Sequence, residues 1–336
     1  MLDYSEIEKY DLSGMHKIYD NWPKVAKDAY ESDLGSVDFK NIDHIVFAGM
    51  GGSGAIGDLF ASILSKTNIH VSLVKGYLLP KTVDKNTLVV TTSVSGDTVE
   101  TLTVLDSAHK LDCNLIAFFS GGKMEEFCTK NQINYKKIEM IHSPRTSFIK
   151  FVFSIMNVLN SILPIDKNHI VESIDALSKL QKNICSQSLS DSNLSLSLAN
   201  FISEIPLIYY PYGLQSSAIR FKSSIQENAK THAITEDIVE ACHNGIVAWE
   251  KPSIIQPILL RGYDDYIKTQ ERFEIIKEFF TKNNIEFKEI NSVSGNILTK
   301  LITLTYLLDY ASIYRAILSG IDPTPVSSIT FVKSKI

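Results

Sequence analysis

The sequence predicts an α/β protein built from two related subdomains, each a parallel sheet flanked by helices in a three-layer αβα arrangement. Short apolar segments rich in β-branched residues end at glycine, and amphipathic segments follow them. The same alternation starts again in the second half of the chain. Strands that alternate with helices form parallel sheets covered by helices on both faces.

The first half contains five predicted strands. We interpret residues 1–40 as polar amphipathic helix and turn, and the apolar segment from His44 to Gly49 as the first strand. The other predicted elements of this half are strands over 69–76, 87–96, 113–122 and 133–139, and helices over 52–66, 97–111, 123–131 and 147–163.

The second half repeats the pattern after a helical connector. Residues 184–203 are rich in serine and carry leucine at intervals, which is typical of a helical segment that includes a loop. The subdomains are therefore expected at 1–160 and 201–336, joined by a connector at 161–200. The predicted elements of the second half are strands over 205–213, 253–265 and 285–293, and helices over 214–231, 266–284 and 296–320.

The composition is that of an ordinary globular protein and excludes several classes of function. The 336 residues are 44% hydrophobic and 21% charged, so the chain can bury a core. A net charge of -5 without a block dense in Lys and Arg argues against a nucleic-acid partner. The acidic start lacks an apolar signal-peptide core, and no run of about eighteen apolar residues predicts a membrane span.

The cysteines are predicted to be free, reduced thiols. None of the four forms a C-x-x-C pair, which argues against a disulfide or a metal role and favours a cytoplasmic location. The four residues are scattered along the chain: Cys113, Cys128, Cys185 and Cys242.

A glycine cluster follows the first strand. Gly49, Gly51 and Gly54 fit G-x-G-x-x-G, which is also the fingerprint of a dinucleotide site. Such a site needs an acidic residue about twenty positions on, at the end of the second strand, to hold the ribose hydroxyl. That strand ends in Lys75 and Gly76, so no nicotinamide cofactor is expected.

Hydroxyl residues at two strand ends favour a phosphate site. Ser53 lies in the glycine loop, while Ser93, Ser95 and Thr98 surround Gly96 after another strand. Helix N-termini at the carboxyl ends of parallel strands present unpaired N–H groups to anions, and hydroxyls add hydrogen bonds. One such residue alone would be explained as a helix cap. Two serine-bearing loops favour a binding site.

These two loops resemble the sugar isomerase (SIS) domain family. "GMGGSG" followed by "SVSGDTVETL" is similar to the family's glycine loop and its S-x-S-G-x-T loop. The resemblance implies that Gly51, Gly52 and Ser53, with the serines and threonine of the second loop, hold the phosphate of a phosphosugar. This family includes both enzymes and regulators that only sense phosphosugars.

The second half resembles the bifunctional phosphoglucose/phosphomannose isomerases, and the resemblance covers nearly the whole chain. It is carried by "QENAKTHAITEDIVEACHNGIVAWE" and "SGIDPTPVSSITFVK". The implied reaction converts fructose 6-phosphate into glucose 6-phosphate, and into mannose 6-phosphate, through a cis-enediol without a metal. No cofactor is expected. The eight histidines form no H-x-H or H-x-x-x-H cluster of the kind that zinc favours.

The resemblance implies a role for two titratable residues. Glu227 matches the base that moves a proton between C1 and C2, a task for a carboxylate near neutral pKa. Its simpler interpretation is a solvated charge at a helix end. His243 matches the ring-opening histidine, which in this family reaches the active site of the partner subunit, so a homodimer is expected. His232, five residues after Glu227, is the competing histidine.

The cations and the epimer-determining hydroxyl are assigned in the same way. Arg145 matches the arginine that stabilises the enediolate, and the alternative is an ordinary surface residue at a helix start. Lys333 matches the C-terminal lysine, with Lys335 two residues away as the other candidate. The threonine that permits the mannose reaction is left open among Thr324, Ser327 and Ser328.

Three other functions compete with the isomerase. A phosphosugar sensor would need the two loops but not Glu227, His243 and Arg145 together. A nicotinamide oxidoreductase lacks its ribose acid, and glucosamine chemistry of the amidotransferase type lacks a glutaminase domain. The sequence thus favours a metal-independent isomerase with a phosphosugar substrate.

Overall fold

The computed structural model describes residues 2–335, which fall into two compact units. One unit consists of residues 21–167 with residue 335, and the other of residues 2–20 with 168–334. Each unit contains one parallel sheet.

Helices and strands alternate through the first part of the chain. The elements up to residue 158 are α1 (Tyr4–Tyr10), α2 (Met15–Asp20), α3 (Trp22–Tyr30), β1 (His44–Ala48), α4 (Gly51–Leu64), β2 (His70–Val74), β3 (Thr87–Ser93), α5 (Val99–His109), β4 (Asn114–Phe119), α6 (Lys123–Asn131), β5 (Asn134–Lys137) and α7 (Phe148–Val158). The strands form one parallel sheet in the order β2-β1-β3-β4-β5.

The second sheet is built in the same way. The later elements are α8 (Lys167–Ile184), α9 (Leu194–Phe201), β6 (Ile205–Tyr210), α10 (Gln215–Asn228), β7 (Ile234–Asp237), α11 (Ile238–Ala241), a 3-10 helix (Gly245–Glu250), β8 (Ile255–Arg261), α12 (Ile267–Lys282), β9 (Lys288–Asn291), α13 (Ile297–Leu318) and α14 (Ser327–Lys333). The strands are parallel in the order β7-β6-β8-β9, which is the order of the first four strands of the other sheet.

The predicted fold class is confirmed. The burial of the central strands explains why the sequence pattern predicted them. All residues of the central strands β1 and β3 are buried, whereas the edge strands β2 and β5 are partly exposed. A strand that is covered on both faces is a continuous apolar run in the sequence.

One strand of the second sheet was not predicted. β7 has four residues, with the sequence ITED, and pairs with β6 at the edge of the sheet. A short, charged edge segment has neither an apolar run nor an alternating pattern. Its strand conformation depends on the backbone of β6, which the local sequence does not reveal.

The N-terminal helices α1 and α2 group with the C-terminal part of the chain. The Tyr306 hydroxyl donates to the carbonyl of Tyr19 at 2.7 Å, and the Tyr19 hydroxyl donates to the Asp309 carboxylate at 3.1 Å. Both partners lie on α13. The subdomain limits at 160 and 200 stay a prediction, and the compact units have different limits because residues 2–20 pack on this helix.

Helix α13 forms the centre of its unit. Its length and its mean hydropathy of 1.2 would allow it to cross a membrane, but 89% of the apolar window is buried within the protein. Its apolar side chains therefore contact protein.

Candidate active site

Two helix N-termini meet at the carboxyl edge of the first sheet. β1 and β3 are parallel neighbours, with Ala48 opposite Thr91, and they are followed by α4 and α5. The strand order reverses direction here, which is where open α/β sheets bind ligands. The first N–H groups of each helix lack partners within the helix, and the helix dipole favours an anion at this end.

The predicted hydroxyls join the two loops into one cluster. The buried Ser53 Oγ accepts a hydrogen bond from the Val94 N–H at 3.2 Å. The Ser93 and Thr98 hydroxyls lie 2.9 Å apart, and the Gly96 N–H donates to Ser93 Oγ at 3.1 Å. Within the described residues, the Thr98 hydroxyl makes no capping bond to α5, so the capping explanation does not hold for it.

The serine loop is fixed by its neighbour after β4. Gly96 has a φ of +75°, and a Cβ there would overlap the carbonyl oxygen of Gly121. The Met124 N–H donates to the Gly96 carbonyl at 2.9 Å, and the Lys123 N–H donates to the Asp97 carboxylate at 2.9 Å. Only glycine combines this backbone conformation with this close approach.

Arg145 lies beside the glycine loop. A Cβ placed on Gly52 would be 3.4 Å from the Arg145 Cα, and the arginine is only 6% exposed. Its segment is held by hydroxyls: Thr146 Oγ1 donates to the Ile141 carbonyl at 2.5 Å, and Ser147 Oγ accepts from the Ile141 N–H at 2.8 Å. The structure thus brings Arg145 and the glycine loop together in one unit.

A lysine, Lys75, follows β2 at the position where a dinucleotide site would have its ribose-binding acid, and it forms an ion pair. Lys75 Nζ donates to both carboxylate oxygens of Asp58 at 2.6 Å, and Asp58 is buried on α4. The residue after β2 is therefore a cation whose charge is compensated by Asp58.

Glu227 lines a surface cavity of about 560 Å³ in the other unit. The carboxylate is half-buried one residue before the end of α10, and Ser223 and Gln226 share its wall. Residues 325–329 form another part of the lining and include Ser327 and Ser328. A cavity of this size is in the range that holds small metabolites.

A set of buried hydrogen bonds, which the sequence analysis missed, connects α10 to α13. The buried Arg220 guanidinium donates to Asp309 Oδ2 at 2.6 and 2.9 Å, and Ser224 Oγ donates to Asp309 Oδ1 at 2.6 Å. One turn on, Asn228 Nδ2 donates to Ser312 Oγ at 2.8 Å. Burial disfavours the charged guanidinium, but Asp309 holds the pKa of Arg220 above its ordinary value. The polar residues at four-residue spacing on α10 could have predicted this set of hydrogen bonds, because they lie on one face of the helix.

Two predicted residues do not line the Glu227 cavity. His243 follows α11 and is exposed, and its N–H donates to the Glu240 carbonyl at 2.8 Å. Lys333 is the exposed last residue of α14. The competing His232 is also exposed. The lining that the structure describes includes none of these three side chains.

The metal-ligating side chains and the cysteines form no further site among the described residues. Within residues 2–335, no group of three or more His, Cys, Asp and Glu side chains is placed to hold a metal ion. The four cysteines are free thiols, and burial raises the pKa of Cys128 to about 11.

Comparisons with known proteins give three similarities. Residues 191–336 match the family described as "Bacterial phospho-glucose isomerase C-terminal SIS domain". The chain is 32% identical over 330 residues, 94% of its length and 97% of the relative's, to the "Bifunctional phosphoglucose/phosphomannose isomerase" of Caldicellulosiruptor bescii. It is 31% identical over 235 residues, 69% of its length and 72% of the relative's, to the "D-glucosamine-6-phosphate 4-epimerase" of Sulfolobus acidocaldarius.

A solved structure supports the fold. The C-terminal domain of glucosamine-fructose-6-phosphate aminotransferase from Francisella tularensis superposes with a TM-score of 0.69 at 15% identity. The superposition covers 96% of this chain and 98% of that domain. At this identity the similarity concerns the fold alone.

Proposed function

The chain belongs to the bifunctional phosphoglucose/phosphomannose isomerase family, and from this we propose that it interconverts fructose 6-phosphate with glucose 6-phosphate and mannose 6-phosphate. The observation that carries the proposal is the half-buried Glu227 carboxylate on the wall of a metabolite-sized cavity. A phosphosugar sensor would need only the phosphate loops. The reaction would connect the hexose phosphates of glycolysis and gluconeogenesis.

Phosphate binding is assigned to the first unit. The N-termini of α4 and α5 would supply backbone N–H groups, including those of Gly51 and Gly52. The hydroxyls of Ser53, Ser93, Ser95 and Thr98 would donate to phosphate oxygens. The two helix dipoles would favour the negative charge of a phosphate at this position.

Proton transfer is assigned to Glu227. The carboxylate would remove the proton from C2 of the aldose and return it to C1, which passes through a cis-enediol. Charge develops on the enediolate oxygen, and a fixed cation stabilises it in the transition state. Arg145 is proposed for that role, and Lys333 for the contact near the sugar ring.

Ring opening is assigned to His243 of the partner subunit in a homodimer. Histidine exchanges protons near neutral pH, as the ring oxygen requires. The exposure of His243 within one chain is compatible with a role across an interface. We expect the enzyme in the cytoplasm, where free thiols persist.

The test is the reaction itself. Purified protein treated with a chelator is incubated with fructose 6-phosphate in D2O, and both aldose products are followed by NMR. We expect both aldoses, with deuterium at C2 from exchange of the transferred proton. Binding of the sugar without turnover would favour the sensor. Glucosamine 6-phosphate is the comparison substrate, and conversion of it at C4 in place of isomerisation would favour the epimerase chemistry of the Sulfolobus relative.

A further inference from the structure

A lysine just beyond α10 connects two walls of the Glu227 cavity. Lys230 Nζ donates to the carbonyl oxygen of Glu227 at 2.5 Å. The same ammonium donates to the carbonyl of Pro325 at 2.8 Å and to that of Pro323 at 3.4 Å. Lys230 also lines the cavity. A single side chain therefore bonds to the helix end that carries the base and to the C-terminal segment that faces the cavity.

The backbone at Lys230 is held in an uncommon conformation. Its φ is +57°, in the left-handed region that non-glycine residues rarely adopt. This conformation ends α10 and turns the chain toward β7. A left-handed residue just past the last turn is a common way to end an α-helix, and Gln132 after α6 has the same conformation.

The C-terminal segment has carbonyl groups that accept hydrogen bonds from outside the segment. Pro323 and Pro325 have no N–H, so the segment cannot form a helix or ladder of its own here. Pro323 is buried, and buried carbonyls are normally paired. The Lys230 ammonium pairs with this carbonyl and also bonds to that of the exposed Pro325. A lysine that only capped α10 would need the Glu227 carbonyl alone.

Helix α14, which follows the segment, has little packing to hold it. None of its residues is buried, and Phe331 is 66% exposed. The wall at 325–329 therefore depends on polar contacts more than on apolar packing.

We propose that Lys230 is a positioning residue that holds the C-terminal segment as a wall of the sugar cavity and thereby sets the ratio of the two aldose products. The ratio depends on this wall because Ser327 and Ser328, the two serines of the cavity lining that follow Pro325, lie on it. This inference rests on the proposed function, since it assigns the cavity to the sugar.

The mechanical part is tested by hydrogen–deuterium exchange on the full chain. Lys230→Met removes the ammonium, Lys230→Arg retains a charged donor, and Lys230→Gly also relieves the positive φ. Lys222→Met removes another lysine of α10 as the matched control. In the Met and Gly variants we expect amides of 327–334 to exchange about tenfold faster, an opening free energy lower by about 1.4 kcal/mol. Lys230→Arg and Lys222→Met should retain wild-type exchange.

Two results would overturn the inference. One is unchanged α14 exchange in folded Lys230→Met protein. The other is global unfolding of Lys230→Gly, because a residue that only ties the C-terminal segment is not needed by the core of the unit.

The catalytic part is tested by product ratios. With fructose 6-phosphate, Lys230→Met should change the initial mannose-to-glucose product ratio by about threefold or more, roughly the effect of one modest contact. Lys230→Arg should restore the ratio. A constant ratio with faster α14 exchange would overturn the catalytic part. If the wild type has no isomerase activity, the proposed function fails, while the exchange experiment still decides whether Lys230 holds the segment.

Discussion

Ser53 Oγ and the Val94 N–H form a 3.2 Å hydrogen bond that joins the loop after β1 to the loop after β3. The two residues are 41 positions apart in the sequence, and both are buried. Because each loop leads into a helix N-terminus, this bond fixes the spacing of two groups of N–H donors. The proposed phosphate site therefore depends on the relative position of two loops, and its hydroxyls are part of that scaffold.

Ser53→Ala should raise KM for the sugar phosphate more than it lowers kcat. The variant lacks the hydroxyl that is proposed to donate to a phosphate oxygen, and losing such a bond costs about 1–3 kcal/mol of binding free energy. Phosphate is bound in the ground and transition states alike, so the loss is mainly uniform binding. We expect KM to rise about 5- to 100-fold in steady-state assays. Ser62→Ala on the same helix, where the hydroxyl donates to the Asp58 carbonyl, is the control. An unchanged KM in Ser53→Ala would show that this loop does not hold the phosphate.

Gly96→Ala should destabilise the protein and abolish tight phosphosugar binding. An alanine would adopt a positive φ and would overlap the Gly121 carbonyl. Together these effects cost about 2–5 kcal/mol. Thermal unfolding with and without fructose 6-phosphate measures both losses. Gly76→Ala is the matched control, because a Cβ at Gly76 meets no atom within 4 Å. If both variants unfold at the wild-type temperature, the described packing of the loop is incorrect.

Glu227→Gln should remove proton transfer and spare binding. The amide has nearly the same shape but cannot accept the C2 proton. We expect kcat to fall on the order of 10³-fold or more, about 4 kcal/mol in the barrier, with KM within a few-fold of wild type. Glu240→Gln is the control, since its carboxylate accepts a hydrogen bond from Asn244. Activity of Glu227→Gln within about tenfold of wild type would place the base elsewhere, and Glu240 would be the next candidate.

His44 should make the stability of the first unit fall with acidification. Burial, then the neighbouring His70, lowers the pKa of His44 below its ordinary 6.5, while a backbone hydrogen bond with Thr82, then Asp84 and Asp43, oppose this. The neutral ring bonds to Ser72 Oγ at 2.9 Å and to Thr87 Oγ1 at 3.2 Å. A lowered pKa in the folded state stabilises the fold above pH 6.5, and this contribution is lost as the pH falls below that value.

The measurement is Tm between about pH 7.5 and pH 5 for wild type and His44→Gln. The wild type should lose more Tm over this range than the variant. Equal losses would mean that other groups dominate the acid response.

Mixed dimers should recover activity if the active sites are shared. Inactive Glu227→Gln and inactive His243→Ala subunits are combined under conditions that allow exchange. In a mixed dimer one site carries both substitutions and the other carries neither. Random pairing of equal amounts makes about half of the molecules mixed, so roughly a quarter of wild-type activity should return. If mass spectrometry shows mixed dimers without recovery, His243 serves its own subunit or has no catalytic role.

The sequence predicted most of the fold because the signals were local. The run His44–Ala48 is apolar because both faces of β1 are covered, and α6 occupies the predicted residues 123–131. Gly96 could be predicted as a loop residue because glycine, which has no Cβ, readily adopts the positive φ that the loop requires. The serine loops were found for the same reason, since strand ends and helix starts are marked by the residues that form them.

The tertiary structure decided what depends on a distant partner. β7 is a strand because the backbone of β6 lies beside it, and α2 groups with α13 through Tyr19 and Asp309. The bond between Ser53 and Val94 joins residues whose separation in the sequence gives no information about their distance. Lys230 belonged to a motif named in the sequence analysis, but its partners Pro323 and Pro325 lie 93 and 95 positions later in the sequence. These contacts exist only because the fold brings that segment back to the end of α10. Periodicity reports the environment of a single element, whereas a hydrogen bond between elements requires both of them to be placed in space.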